Sequence, residues 1–200
     1  SMLTSVTIPD SVTTIGESAF SSCSVLGNVT LPDSVLTLGD GAFESCTALQ
    51  TVTLPDSLEK IPQAAFYQCE QLSSVQIPDS ITEIGNEAFY SCTGLSVVTL
   101  PEHLTSIGEY AFQNCQLLTE AAIPASCTAI GNYAFDGCQA LRAFSVAEGN
   151  TSFSAPDGVL TTFDGKRTVI AIPADAPNLP RGAETVLREI DGRPYLIFPR

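Results

Sequence analysis

The sequence predicts a curved α/β repeat solenoid made of 23-residue coils. We expect a parallel concave β-sheet, short helical turns on the convex side and a C-terminal β-hairpin cap. The first observation is a set of residue columns that repeat every 23 positions without a slip. Prolines lie at 9, 32, 55, 78, 101 and 124, phenylalanines at 20, 43, 66, 89, 112 and 135, and cysteines at 23, 46, 69, 92, 115 and 138. A fixed period of this length indicates stacked coils, each burying its apolar face against its neighbours.

The second observation is the apolar spacing that opens each copy. In the first copy Leu3, Val6 and Ile8 have the LxxVxI spacing of a short strand, whose alternate side chains point to one face. Pro9 follows at once and ends the strand, because proline cannot donate a ladder hydrogen bond. The Asp-Ser pair after it has the composition of a turn.

The second half of each copy predicts a return path to the next strand. An apolar pair, Val12 and Ile15 in the first copy, precedes a glycine column. Pro62 replaces that glycine in the third copy, so a positive φ is not required there. The Ala-Phe-x-x-Cys segment that follows has i, i+3 spacing, which predicts one short helical turn on the outer side.

The combined pattern LxxVxIPDSVxxIGxxAFxxCxxL resembles the BspA-like leucine-rich repeat family of bacterial and protist cell-surface proteins, over residues 3–146. The segment GNTSFSAPDGVLTTFDGKRTVIAIP resembles the degenerate repeat common in these proteins, with Thr161 where tyrosine is usual. This resemblance implies an extracellular or cell-surface module without catalytic activity, which adheres to extracellular proteins. The alternatives are a structural spacer that projects other domains and a glycan-binding module.

We expect three segments along the chain. Residues 3–146 form the solenoid of six full copies and a seventh strand. Residues 147–173 form the degenerate repeat with a β-hairpin that turns at Asp164-Gly165 and covers the end of the solenoid. Residues 174–200 read as a linker and the start of a further module, with a second hairpin around Asp191-Gly192; a strand lying on the last coil is the alternative.

Charge is uneven along the chain. Residues 1–141 hold fifteen carboxylates and one basic residue, Lys60, and so carry the whole net charge of −14. This balance argues against nucleic acid and anionic lipid as partners. No stretch has the pattern of a signal peptide or a membrane span, which leaves export open. We expect no membrane insertion, and of the oligomeric states we favour a monomer.

The seven cysteines predict a core column and no cross-links. Six of them stack with their side chains directed into the core, where cysteine serves as a small hydrophobe. Cys127 takes the column of Val12 and its equivalents, which supports the same interpretation. Zinc is not expected, since the sequence has no CxxC pair. We predict no metal and no cofactor.

Strand positions that point away from the core line the predicted concave face, the usual partner surface of such folds. The alternative is that threonine and serine are simply good solvated strand residues. The candidate partner-binding residues are Ser5, Thr7, Asn28, Thr30, Thr51, Thr53, Ser74, Gln76, Val97, Thr99 and Glu120.

Two other columns are candidates for function. The acidic column at 10, 33, 56, 79 and 102 could recruit calcium or a basic partner, or it could simply stabilise turns. Tyr67 and Tyr90 share one column, and Tyr110 and Tyr133 share another. These tyrosines could form an interface or could pack flat between coils.

Catalysis and glycosylation have little support. The single histidine, His103, replaces a serine of the turn column, and we expect it to be exposed and without a catalytic role. We therefore predict that the chain is not an enzyme. Asn28-Val29-Thr30 and Asn150-Thr151-Ser152 match the glycosylation pattern, which occurs often by chance.

Overall fold

The computed structural model describes residues 2–162, 169–171, 186–190 and 193–197. Its first sheet contains four parallel strands, and a further pair continues the same columns. We call these six strands the front sheet: Asn28–Thr30, Thr51–Thr53, Ser74–Gln76, Val97–Thr99, Glu120–Ile123 and Ala143–Val146. Each strand buries its central valine or the equivalent residue and exposes the flanking ones. The solenoid predicted from the 23-residue period is confirmed.

The first copy departs from this regularity. Residues 2–8 contain no assigned strand, although Leu3, Val6 and Ile8 are partly buried against the core. The predicted first strand is therefore not formed as such.

A second set of parallel strands, two residues each, follows every proline turn. We call it the side ladder: Thr14–Ile15 and Thr37–Leu38 form one sheet, and Lys60–Ile61, Glu83–Ile84, Ser106–Ile107 and Ala129–Ile130 form another. The ladder is interrupted at Pro62. Gly39 N donates to Ile15 O over 2.8 Å, and Gly85 N donates to Ile61 O over 2.8 Å. Pro62 has no N–H with which to make the equivalent bond.

The glycine column serves close packing between coils. None of the glycines at 16, 39, 85, 108 and 131 has a positive φ, as the proline at position 62 predicted. A Cβ built on Gly85 would lie 2.6 Å from Gln63 N in the preceding coil. The side ladder therefore brings successive backbones too close for a side chain at this position.

The outer side consists of turns in place of the short helices expected there. We call Ala64–Gln68 and the equivalent residues of other coils the turn ladder. Tyr67 N donates to Ala64 O within the coil (3.0 Å), while Phe66 N and Gln68 N donate to the next coil, to Ala88 O (2.8 Å) and Tyr90 O (2.7 Å). For alternate N–H groups to point at the next coil, Ala64 and Gln68 adopt positive φ values of 53° and 56°. A right-handed helix excludes such values. Within the described residues the only helix is the 3₁₀ turn Pro156–Gly158.

Phenylalanine and cysteine columns fill the core beneath the turn ladder. The rings of Phe43 and Phe66 stack with centroids 5.6 Å apart and planes 3° apart. Cys69 Sγ donates to Phe43 O over 3.2 Å, a contact that recurs from coil to coil. All seven cysteines are free and buried. Burial raises the pKa of the Cys138 thiol to about 12, so this thiol stays neutral at physiological pH.

Asn150 closes the C-terminal end of the solenoid. It occupies the apolar column of Val35 and Cys127, and its Nδ2 donates to Pro124 O (2.7 Å) and Cys127 O (3.0 Å). Its Oδ1 accepts hydrogen bonds from the backbone N–H groups of Ser152 and Phe153, both at 2.8 Å. The bond to Cys127 O replaces the serine bond of the regular coils, in which Ser34 Oγ donates to Val12 O.

Antiparallel strands follow this closure. Phe153–Ser154, Leu160–Thr162 and Val169–Ala171 form one sheet, which includes the predicted hairpin; its turn at Asp164-Gly165 lies outside the described residues. Val186–Ile190 and Arg193–Ile197 pair with Ile190 opposite Arg193, while Asp191-Gly192 also lies outside the described residues. The divisions of the chain at residues 146 and 173 stay predictions.

Candidate functional site

The front sheet collects most of the candidate residues on one exposed surface. Those it holds are Asn28, Thr30, Thr51, Thr53, Ser74, Gln76, Val97, Thr99 and Glu120, all exposed. Parallel register places Asn28 opposite Thr51 and Thr30 opposite Thr53. Ser5 and Thr7 are exposed as well but lie outside any strand, in the first coil.

The chemistry of this surface changes along the solenoid. At one end it offers hydroxyls and amides, and Thr51 Oγ1 donates to Asn28 Oδ1 over 2.6 Å. Towards the C-terminal end it becomes more apolar, with Val97 53% exposed and Ala122 and Ala143 also exposed. A shallow depression there is lined by Thr119, Glu120, Arg142, Ala143, Phe144 and Ser145. The surface is thus polar and nearly uncharged at one end, and apolar with flanking charges at the other.

The acidic column borders the front sheet. Each acidic residue lies in a turn that a backbone hydrogen bond closes; in the second coil, Val35 N donates to Pro32 O over 3.0 Å. The serine that follows the aspartate ties the turn to the preceding coil. Ser34 Oγ, for example, donates to Val12 O over 2.7 Å. Among the described residues, no three His, Cys, Asp or Glu side chains come together as metal ligands.

The tyrosines form two stacked pairs on the outer side. The rings of Tyr67 and Tyr90 lie 4.8 Å apart with planes 5° apart, and those of Tyr110 and Tyr133 lie 5.3 Å apart with planes 8° apart. All four are half-buried. Burial raises the pKa of Tyr67, and the neighbouring Tyr90, Glu87 and Glu44 raise it further.

The two glycosylation motifs differ in accessibility. Asn28 is exposed on the front sheet, whereas Asn150 is 9% exposed and uses both of its amide hydrogens in the cap. Asn150 therefore has a structural role that the sequence motif did not indicate. His103 is exposed, as expected. No helix in the described part of the chain is long and apolar enough to span a membrane.

Comparison with known proteins places this fold in a family. The model of the BspA type leucine rich repeat region matches residues 1–89 and 59–156, with six copies. The chain belongs to the BspA-type leucine-rich repeat family. No curated protein matches it.

Solved structures of bacterial proteins share the fold. A leucine rich cell surface protein of Faecalibacterium prausnitzii is 38% identical, with a TM-score of 0.75, over 86% of this chain and 46% of its own. The pneumococcal vaccine antigen PcpA is 27% identical, with a TM-score of 0.73, over 84% and 44%. A leucine-rich repeat protein of Bacteroides ovatus is 30% identical, with a TM-score of 0.63, over 72% and 43%. The chain thus spans less than half the length of each of these proteins.

Proposed function

We propose that the chain is a non-catalytic adhesion module of a cell-surface or secreted protein, and that its front sheet binds an extracellular protein partner. The observation that carries this proposal is the row of exposed side chains on the front sheet, whose strands are fixed by buried neighbours such as Val29 and Val52. A surface that is already ordered loses little conformational entropy when it binds.

A protein partner fits this surface better than a glycan alone. The apolar end, with Val97 and the depression beside Phe144, offers a contact for apolar side chains. The hydroxyl-rich end suits hydrogen bonds to a polypeptide backbone or to sugar hydroxyls. The cell-surface description of the Faecalibacterium protein supports the location.

Two matched double variants test the proposal. Thr30→Arg with Thr53→Arg changes neighbouring strands of the front sheet, and Thr14→Arg with Thr37→Arg makes the same change in the side ladder. All four threonines are exposed, so neither pair should unfold the chain. Binding is measured to immobilised fibronectin, collagen and a glycan array, at about 150 mM and about 500 mM salt.

We expect protein binding that survives high salt. The front-sheet pair should weaken this binding about tenfold or more, because arginines that become buried in the complex disrupt the fit between the two surfaces. The side-ladder pair should change it less than about twofold. Equal effects of the two pairs would refute the front sheet as the binding surface. Binding confined to the glycan array would favour the glycan alternative, and no binding to any probe would favour the spacer.

A further inference from the structure

The turn ladder carries a surface that the proposed function does not use. We call it the turn face, formed by the outward side chains at the first and fourth residues of the turn ladder in successive coils, such as Ala64 and Tyr67. Four of the five tyrosines in the sequence lie on it. Tyr67 and Tyr90 occupy the fourth position of the third and fourth coils, and Tyr110 and Tyr133 occupy the first position of the next two.

Contacts between coils hold the side chains and the backbone of the turn face in place. Each tyrosine ring stacks on its partner, with centroids 4.8 Å and 5.3 Å apart in the two pairs. The backbone beneath is fixed from coil to coil, since Gln68 N donates to Tyr90 O over 2.7 Å and Tyr110 N donates to Asn132 O over 3.0 Å. Ordered aromatic side chains provide contact area at a low entropy cost, a property common to interface tyrosines.

A carboxylate accompanies each tyrosine pair. Glu44 holds the position of Tyr67 one coil earlier, and Glu87 holds the position of Tyr110 one coil earlier. Glu44 and Glu87 lie close enough to Tyr67 to raise the pKa of its hydroxyl. The one basic residue among residues 1–141, Lys60, is in the side ladder opposite Glu83, away from the turn face. The face therefore presents aromatic rings and negative charge together.

This combination matches the chemistry of arginine. A guanidinium group stacks on an aromatic ring and pairs with a carboxylate through two parallel hydrogen bonds, whereas a lysine ammonium acts as a point charge. The coils from Glu44 to Tyr133 span about 19 Å at a spacing of about 4.8 Å, the length of about six extended residues. We propose that the turn face, with its two tyrosine pairs and Glu44 and Glu87, is a docking surface for an arginine-rich segment of a protein partner.

The test uses two labelled nine-residue peptides, one of arginine and one of lysine, titrated against the whole chain at about 150 mM salt. We expect the arginine peptide to bind about tenfold more tightly than the lysine peptide. Tyr67→Ala with Tyr90→Ala should weaken the arginine complex about tenfold, because the stacking surface is removed. Tyr67→Phe with Tyr90→Phe keeps the rings and should leave binding within about threefold.

A charge-matched control separates docking from general attraction to an acidic protein. Glu44→Gln with Glu87→Gln and Asp56→Asn with Asp79→Asn each remove two negative charges, the first pair from the turn face and the second from the exposed acidic column. The turn-face pair should weaken the arginine complex about fivefold and the acidic-column pair less than about twofold. Equal effects of the two pairs, or equal affinity for the two peptides, would overturn the proposal. Since these four substitutions are isosteric, the comparison holds even if the tyrosine-to-alanine variant unfolds.

Discussion

At the scale of single residues, the turn ladder contains left-handed backbone positions that cost free energy and that hydrogen bonds to the next coil compensate. In the part of the chain that the structure describes, ten residues other than glycine have a positive φ, and they occupy the same two positions of successive coils. Each costs about 1–2 kcal/mol, because the side chain crowds the neighbouring carbonyl. The bond from Ala64 N to Asn86 O (2.9 Å) is one of those that offset this cost. Gly41 and Gly137 show that glycine also occupies these positions.

A substitution at one of these positions tests this explanation. Ala64→Gly should stabilise the chain by about 0.5–1 kcal/mol, because glycine relieves the crowding at φ 53°. The higher conformational entropy of the unfolded glycine variant offsets part of this gain. Urea unfolding followed by circular dichroism measures the change in the free energy of unfolding.

The neighbouring alanine provides the control. Ala65 is fully buried and does not have a positive φ, so Ala65→Gly removes a buried methyl group without relieving strain. We expect a loss of about 1–2 kcal/mol. The same sign for both variants would contradict the proposed role of backbone strain.

At the scale of elements, the side ladder depends on the glycine column. Gly85→Ala should destabilise the chain by roughly 2–3 kcal/mol, because the new Cβ would lie 2.6 Å from Gln63 N and would force two coils apart. Thermal unfolding measures the change as a lower midpoint.

Gly16 is the matched control because it has the same position in the first coil. A Cβ there meets no atom within 4 Å, so Gly16→Ala should change stability by less than about 0.5 kcal/mol. A similar loss in both variants would mean that glycine is required for some reason other than close approach.

The elements differ in how far the sequence predicts them. The front-sheet strands follow from the LxxVxI spacing, because apolar residues at three fixed positions in every copy give a repeated signal. The side-ladder strands, such as Lys60–Ile61, are two residues long and give no periodic signal of their own. The turns were predicted as short helices because Ala-Phe-x-x-Cys fits i, i+3 spacing. The positive φ of residues such as Gln68 could not be predicted, since hydrogen bonds to the next coil impose it and the residue type does not.

The candidate site likewise contains some features that the sequence predicts and others that it does not. Alternation within each strand placed residues such as Thr30 and Gln76 on the exposed face of the front sheet. The tyrosine columns predicted two pairs, but not whether the rings would stack or project. Asn150 matched a glycosylation motif, and its role in the cap depends on two carbonyl groups that come from the preceding coil. Its place in an otherwise apolar column was the signal that could have indicated a buried role.

At the scale of the whole molecule, stability is the sum of contacts between neighbouring coils, so the ends decide where unfolding begins. Asn150→Asp should destabilise the C-terminal end by about 3 kcal/mol, because a carboxylate oxygen would replace the amide group that faces Pro124 O and Cys127 O. Hydrogen exchange measures the effect at individual amides. The amide of Gly131 in the sixth coil, bonded to Ile107 O of the fifth coil, should exchange much faster.

The Gly39 amide near the other end is the internal control. It is bonded to Ile15 O over 2.8 Å and should keep its exchange rate, because a fault in the cap propagates only through successive coils. Asn28→Asp, on the exposed front sheet, should leave both amides unchanged. Equal acceleration at Gly131 and Gly39 would show that the chain unfolds as one unit.

The interruption of the side ladder at Pro62 has a mechanical consequence. When a tether pulls the two ends of the molecule apart along its axis, the load passes through the backbone hydrogen bonds that join successive coils. Because Pro62 donates none, the boundary between the second and third coils transmits this load with one bond fewer in the side ladder. Under tension this boundary should therefore separate at a lower force than the boundaries that follow it, and a Pro62→Gly chain should require a higher force for the same step.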